Sequence, residues 1–204
     1  MFSQLDNMIF PDRCDVLEII PSQRYVYPIY KNGSSSLQKA GYPVVPIEQL
    51  PDIPVIEIYV RDPYERFLSG VQTYLMQNFA LERRTMLYVI RENLFLNRHY
   101  CPQFHWLVNL QRFTNAKIKI NPIEQLNEIT QYTDNQQEKD YEIEQYFKNE
   151  LKVQFYLSID KVVTETLLGR TVRFKDIVYV LKTKQPDVYQ EVVQRSINLC
   201  NVLA

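Results

Sequence analysis

Apolar residues cluster most tightly at Val55–Val60, "VIEIYV", with prolines ahead of the run and "RDP" behind it. Such a short β-branched and aromatic run between breakers predicts a strand. The period then changes. Asp62 suits an N-cap, Pro63 suits the first helical position, and Glu65 three residues after Asp62 completes a capping box. Phe67, Leu68, Val71, Leu75 and Phe79 follow at helical spacing and predict one buried face. Upstream, Tyr25–Tyr30 ("YVYPIY") is a shorter β-prone run, and Ser34–Ala40 predicts a short helix closed by Gly41 at its C-terminal end. Val44–Ile47 reads as a second strand, weakened by Pro43 and Pro46.

Downstream the pattern predicts a helix over 82–97, a strand over Ala116–Ile120, a helix near Pro122–Thr130 and a charged helix near Glu138–Leu151. Two helices are expected in the last thirty residues, with Pro186 between them. The polar stretch Thr133–Asp140 reads as a surface loop, and there is no internal repeat. Strands alternating with helices predict an α/β fold: a single domain over 1–204 with a parallel β-sheet flanked by helices. Ligands of such sheets sit at the carboxyl ends of strands.

Composition narrows the chemistry. The chain has 23 Lys and Arg against 24 Asp and Glu, a net charge of -1. No global basic field argues for nucleic acid, so any anion site must be a local cluster. Cys14, Cys101 and Cys200 are odd in number and widely spaced, without a Cys-x-x-Cys pair. Free thiols in a reducing compartment are expected, and no metal site. The opening residues lack the apolar run of a signal peptide, and no stretch approaches the roughly 18 apolar residues of a membrane helix. The expected location is cytoplasmic, with no membrane partner.

Two polar segments stand at the ends of predicted strands. The first is "YPIYKNGSSSLQKAG", Tyr27–Gly41. Backbone N–H groups at a helix start, the conformational freedom of Gly33, the hydroxyls of Ser34, Ser35 and Ser36 and the charge of Lys31 suit an anion. The lysine precedes the glycine, so the segment is not the GxxxxGK[ST] loop of nucleoside triphosphatases. Taken alone, it is equally a polar turn capping a helix. The second is "VRDPYERFLSG", in which Arg61 ends the strand and Ser69 lies two helical turns on. A guanidinium and a hydroxyl there suit one phosphate. The bland alternative is that Arg61 pairs with Asp62 or Glu65 and Ser69 merely packs.

Together these segments resemble the two donor-binding motifs of sulfotransferases that use 3′-phosphoadenosine 5′-phosphosulfate (PAPS). "PIYKNGSSSL" is similar to the 5′-phosphosulfate loop and "VIEIYVRDPYERFLSGV" to the 3′-phosphate motif. The likeness is greatest to the carbohydrate, Golgi-type branch, to whose histidine–aromatic–x–Pro–Gln segment "RHYCPQFHWL" is also similar, with His99 at the histidine position. "AKIKINPIEQLNEI" resembles the strand and element that follow. The likeness covers roughly residues 25–70 and 98–128, and each motif is weak without the others. It implies a P-loop-like fold related to nucleotide kinases, and sulfuryl transfer from PAPS to an acceptor hydroxyl, on a carbohydrate. It further implies that Lys31 assists the leaving phosphate, that Asn32, Gly33, Ser34, Ser35 and Ser36 hold the 5′-phosphosulfate, and that Arg61 and Ser69 hold the 3′-phosphate. "LLGRTVRFKD" is only faintly like the basic loop that closes over the 3′-phosphate, which makes Arg170 and Arg173 weak contacts. The membrane anchor and disulfides of Golgi enzymes are not evident in this sequence.

An acceptor hydroxyl needs a general base, and histidine suits this near neutral pH. The chain has 2 histidines. His99 is expected to be the base, His105 to lie on a helix beside Trp106 in the core, and Glu57 or Glu65 to be the fallback. A nucleotide or small-molecule kinase, or a nucleotide-binding protein without catalysis, are the alternatives.

Overall fold

The computed structural model describes residues 15–20, 22–78, 82–94, 97–131 and 140–193. Phe79, Cys14, Cys200, residues 133–139 of the polar loop and the last eleven residues lie outside them.

Val55–Val60 forms the central strand, β3, after β1 (Leu17–Ile19) and β2 (Arg24–Val26). Both faces of β3 are covered, which is why it reads as a continuous apolar run. It pairs in parallel with β4 (Lys117–Pro122) along its whole length, from Val55 opposite Lys117 to Val60 opposite Pro122. On its other side β2 runs parallel to it, with Val26 opposite Glu57. Antiparallel edges, β1 beside β2 and β5 (Thr171–Val172) beside β4, complete a five-stranded sheet in the order β1-β2-β3-β4-β5. The sheet is therefore mixed, parallel only at its centre, where a wholly parallel one was expected. β2 also ends earlier than expected, because Pro28 has no N–H to continue the ladder beyond the Tyr27 N–H to Glu57 O bond of 2.9 Å.

Side chains alternate across β3. Ile56, Ile58 and Val60 join the larger core, which includes Phe67, Val71 and Leu75 of α2 (Pro63–Gln77) and Leu87 and Ile90 of α3 (Arg83–Glu92). The same core takes in Phe104 and Leu107 of α4 (Gln103–Gln111) and Ile159 and Val163 of α6 (Leu151–Leu167). Tyr59 joins the smaller core on the opposite face, with Val26, Leu37 of α1 (Ser34–Lys39), Ile123 and Leu126. The Asp62 carboxylate accepts from Glu65 N at 2.8 Å, the cap expected for α2.

Other expectations are revised. Val44–Ile47 contributes only one bridge, Val44 to Leu17, before a 3-10 turn over Ile47–Asp52, since Pro43 and Pro46 deny it ladder donors. The helix expected over 82–97 is shorter, Arg83–Glu92. The segment after β4 is a 3-10 turn, Ile123–Glu128. The charged helix is shorter, α5 (Tyr141–Phe147), capped by Asp140, whose carboxylate accepts from Ile143 N at 3.2 Å. The long α6 that follows has no counterpart in the sequence reading. Of the two expected C-terminal helices, one is α7 (Phe174–Lys184) and the other begins at Pro186, an α-helical turn over Pro186–Val188 running into a π-helical turn over Tyr189–Val193, where the described residues end. Among the described residues no helix is long and apolar enough to cross a membrane.

Candidate functional site

The chain leaves two adjacent parallel strands toward opposite faces of the sheet. After β2 it enters α1 on the Tyr59 side; after β3 it enters α2 on the Ile58 side. In open α/β sheets such a divergence is where the ligand crevice forms, at the carboxyl ends of the strands. Lys31–Ser36 stands on one side of it and Arg61–Thr73 on the other.

The Lys31 loop is tightly wound. Gly33 caps α1 with φ 75, in the left-handed region open to glycine, and its carbonyl accepts from Ser36 N at 3.0 Å. Lys31 also has φ 68, a strained conformation for a side chain of its size. Asn32 and Ser34 are buried, Ser36 half-buried and Ser35 exposed. The Lys31 ammonium reaches across the crevice and donates to Thr73 Oγ1 of α2.

That contact belongs to a stripe along α2. Arg66, Ser69 and Thr73 are three and four residues apart, so they share one helix face. Arg66 is wholly buried. Its Nε donates to Tyr30 O at 2.9 Å and its Nη1 to Cys101 O. One guanidinium thus ties the residue before Lys31 to a residue just after His99. Gly70 completes the stripe: a Cβ there would lie 2.0 Å from His99 O. Only glycine lets the backbone carrying His99 rest on α2 beside Ser69.

His99 is held by Asn97. The Asn97 Oδ1 accepts from His99 N at 2.9 Å, which fixes that atom as the acceptor, and lies 2.7 Å from His99 Nδ1. Nδ1 therefore carries the proton and Nε2 keeps its lone pair. Burial, then the charges of Lys31, Arg98 and Arg66, push the imidazole down to about 4. His99 is neutral at pH 7. Its ring lies 5.5 Å from that of Tyr30, whose other neighbours are Trp106 at 5.1 Å and the Arg98 guanidinium at 4.6 Å.

The charges acting on Lys31 and on His99 have one sign. Burial, then Arg66 and Arg61, lower the Lys31 ammonium from its ordinary value. Below, the buried Asp160 of α6 caps α4, its carboxylate accepting from Gln103 N and, at 2.7 Å, from Phe104 N. Burial pushes this carboxyl up to about 6 against the pull of Arg66 and those amides. The Gln103 side chain joins the two motif segments, with Nε2 donating to Arg61 O at 3.2 Å and Oε1 accepting from Asn32 Nδ2.

The remaining candidates fall elsewhere. His105 is buried in α4 and held neutral by burial, a core residue as expected. Cys101 is a buried free thiol, pushed up to about 12 by burial. Glu57 projects to the opposite face of the sheet and accepts from Arg24, Tyr59, Asn121 and Lys119. As a fallback base it is spent on that network. Arg173 follows Val172, which pairs with Ile118 toward the amino end of β4, so it lies away from the crevice; Arg170, whose carbonyl accepts from Ile120 N, lies nearer the carboxyl end.

Sequence reading missed Arg66, Thr73, Asn97, Gln103 and Asp160. The 66, 69, 73 spacing was visible once α2 was assigned. Asp160, an acid within the apolar run "LSIDKVV", offered no more than its oddity. Comparison with protein-family models, with curated proteins and with solved structures found no match.

Proposed function

We propose that this protein transfers a sulfuryl group from PAPS to an acceptor hydroxyl on a carbohydrate. The observation that carries the reading is a crevice between two parallel strands where Lys31, Arg61 and Arg66 act on one another, beside a neutral, oriented His99. In an α/β fold with net charge -1, the gathering of Lys31, Arg61 and the buried Arg66 in one place supports an anion site.

The residues fit such a donor. Lys31 and the serine-rich loop that opens α1 offer positive charge and donors to one anionic group. Arg61 and Ser69, across the crevice, offer a guanidinium and a hydroxyl to another. PAPS supplies an activated sulfuryl group, whose transfer depends on positioning and on neutralising charge on the leaving oxygen. Lys31, with its lowered proton affinity, is suited to neutralise or protonate that oxygen once its bond to Thr73 is released. The His99 Nε2 lone pair is suited to take the proton of the acceptor hydroxyl.

The test is calorimetric titration with 3′-phosphoadenosine 5′-phosphate and, separately, with ATP and Mg²⁺. Micromolar binding of the bisphosphate, lost in Arg61→Ala and Lys31→Ala and without comparable ATP binding, is expected. Preference for ATP–Mg²⁺ would replace the reading with a kinase. Binding of neither ligand by folded protein would overturn it.

A further inference from the structure

We infer that Gln103 is a positioning residue that fixes the spacing between the Lys31 loop and Arg61, so that the crevice favours one ligand bearing two separated anionic groups. The inference rests on the anion-site reading above and assigns to a buried amide a selectivity that neither motif has alone.

Gln103 is 3% exposed and opens α4. Its side-chain amide is spent in both directions. Nε2 donates to the carbonyl of Arg61 at 3.2 Å, and Oε1 accepts from Nδ2 of Asn32. Asn32 lies between Lys31 and Gly33, and its Nδ2 also donates to Tyr59 O at 2.8 Å. One planar group therefore spans from the turn of the first segment to the strand end of the second. Its own position is fixed from behind, because Asp160 of α6 accepts from the Gln103 and Phe104 main-chain N–H groups.

The consequence is specific. A ligand with one anionic group senses one side of the crevice. A ligand with two gains from both only when the sides stand at its own spacing, since the second contact then forms at high effective concentration. Loosening the spacing while leaving Lys31, Arg61 and Ser69 in place removes that gain and spares each separate contact.

The experiment uses Gln103→Ala and Gln103→Met, the second keeping most of the side-chain volume. Both retain the main-chain N–H groups that Asp160 holds, so α4 keeps its cap. Affinities for 3′-phosphoadenosine 5′-phosphate and for adenosine 5′-phosphate are measured by calorimetry on wild type and variants. The expected result is a loss of about tenfold for the bisphosphate with the monophosphate changed by less than about twofold. Equal losses for both ligands, or no loss for either, would overturn the inference. Amide hydrogen exchange on the ligand-free protein reads the tie without any ligand. Faster exchange in both 31–36 and 60–62 of the variants supports the spacer role; unchanged protection in either segment refutes it. Failure of wild type to bind the bisphosphate would sink the donor assignment alone, leaving exchange to decide the tie.

Discussion

Two polar clusters flank the centre of the sheet, and their contrast separates scaffold from site. On one face Glu57 sits among its complement: Arg24 at 2.6 Å, Tyr59 Oη at 3.0 Å, Asn121 at 3.1 Å and Lys119 at 3.3 Å. Burial works against its charge, yet Arg24, Lys119 and Tyr59 hold it below the usual carboxylate range. Charge and hydrogen bonds are matched there. At the crevice, the charges acting on Lys31 and on His99 are all positive. A fold tolerates such repulsion in a half-buried place when something other than the fold uses it.

The largest effect should come from removing the group that holds the crevice together. Arg66→Met deprives the Tyr30 and Cys101 carbonyls of their donors and leaves Asp160 without the guanidinium that acts on it. Breaking a buried charged network in this way costs about 3–5 kcal/mol. Urea denaturation should show a matching fall in unfolding free energy; a loss under about 1 kcal/mol would mean that the guanidinium is not the clamp between the two segments.

Paired substitutions sharpen the contrast. Among the described residues, Glu57→Gln leaves Arg24 only the Glu128 carboxylate, at 3.6 Å, and takes from Lys119 the carboxylate it pairs with. It should cost roughly 1–3 kcal/mol of stability while sparing anion binding. Lys31→Met should do the reverse. It relieves a desolvated ammonium beside two like charges, so stability should hold or rise by up to about 1 kcal/mol, while bisphosphate binding is lost. Thermal melts with and without the bisphosphate distinguish them: the ligand-induced rise in Tm should survive Glu57→Gln and vanish in Lys31→Met. The opposite pattern would exchange the roles of the two faces.

How much of this was legible follows from what each signal depends on. β3 and the start of α2 were readable because period, proline and cap agree locally, and Asp62 caps as its sequence position implies. Lys31, Arg61, Ser69 and His99 were readable as residue types at strand and helix ends. Their assembly was not. It depends on Gly70, whose missing Cβ admits the His99 backbone, and on Arg66 and Gln103, whose partners lie 35 to 71 residues away. The three-residue β1 and two-residue β5 escaped because such short strands carry almost no periodic signal; they exist through their neighbours. The long α6 escaped because its apolar positions are spread around the helix.

The finest test concerns His99, where the effect is a displacement along the pH axis. An unperturbed imidazole titrates near 6.5, whereas burial and three cations bring this one to about 4. Because the native state disfavours the proton, His99 contributes stability above pH 6.5 that is lost as pH falls toward 4. Asp160 works in the other sense. Its carboxyl, raised from 3.8 to about 6, binds its proton more tightly in the native state and favours folding as pH falls through that window. The two contributions oppose each other between pH 4 and 6, so a stability curve would hide both. NMR titration of the His99 ring separates them, with an expected midpoint near 4. In Lys31→Met the midpoint should rise, because one of the three charges is gone, yet stay below 6.5, because burial is the larger cause. A wild-type midpoint near 6.5 would mean that His99 is open to solvent and that the crevice is not the cation-lined base site proposed above.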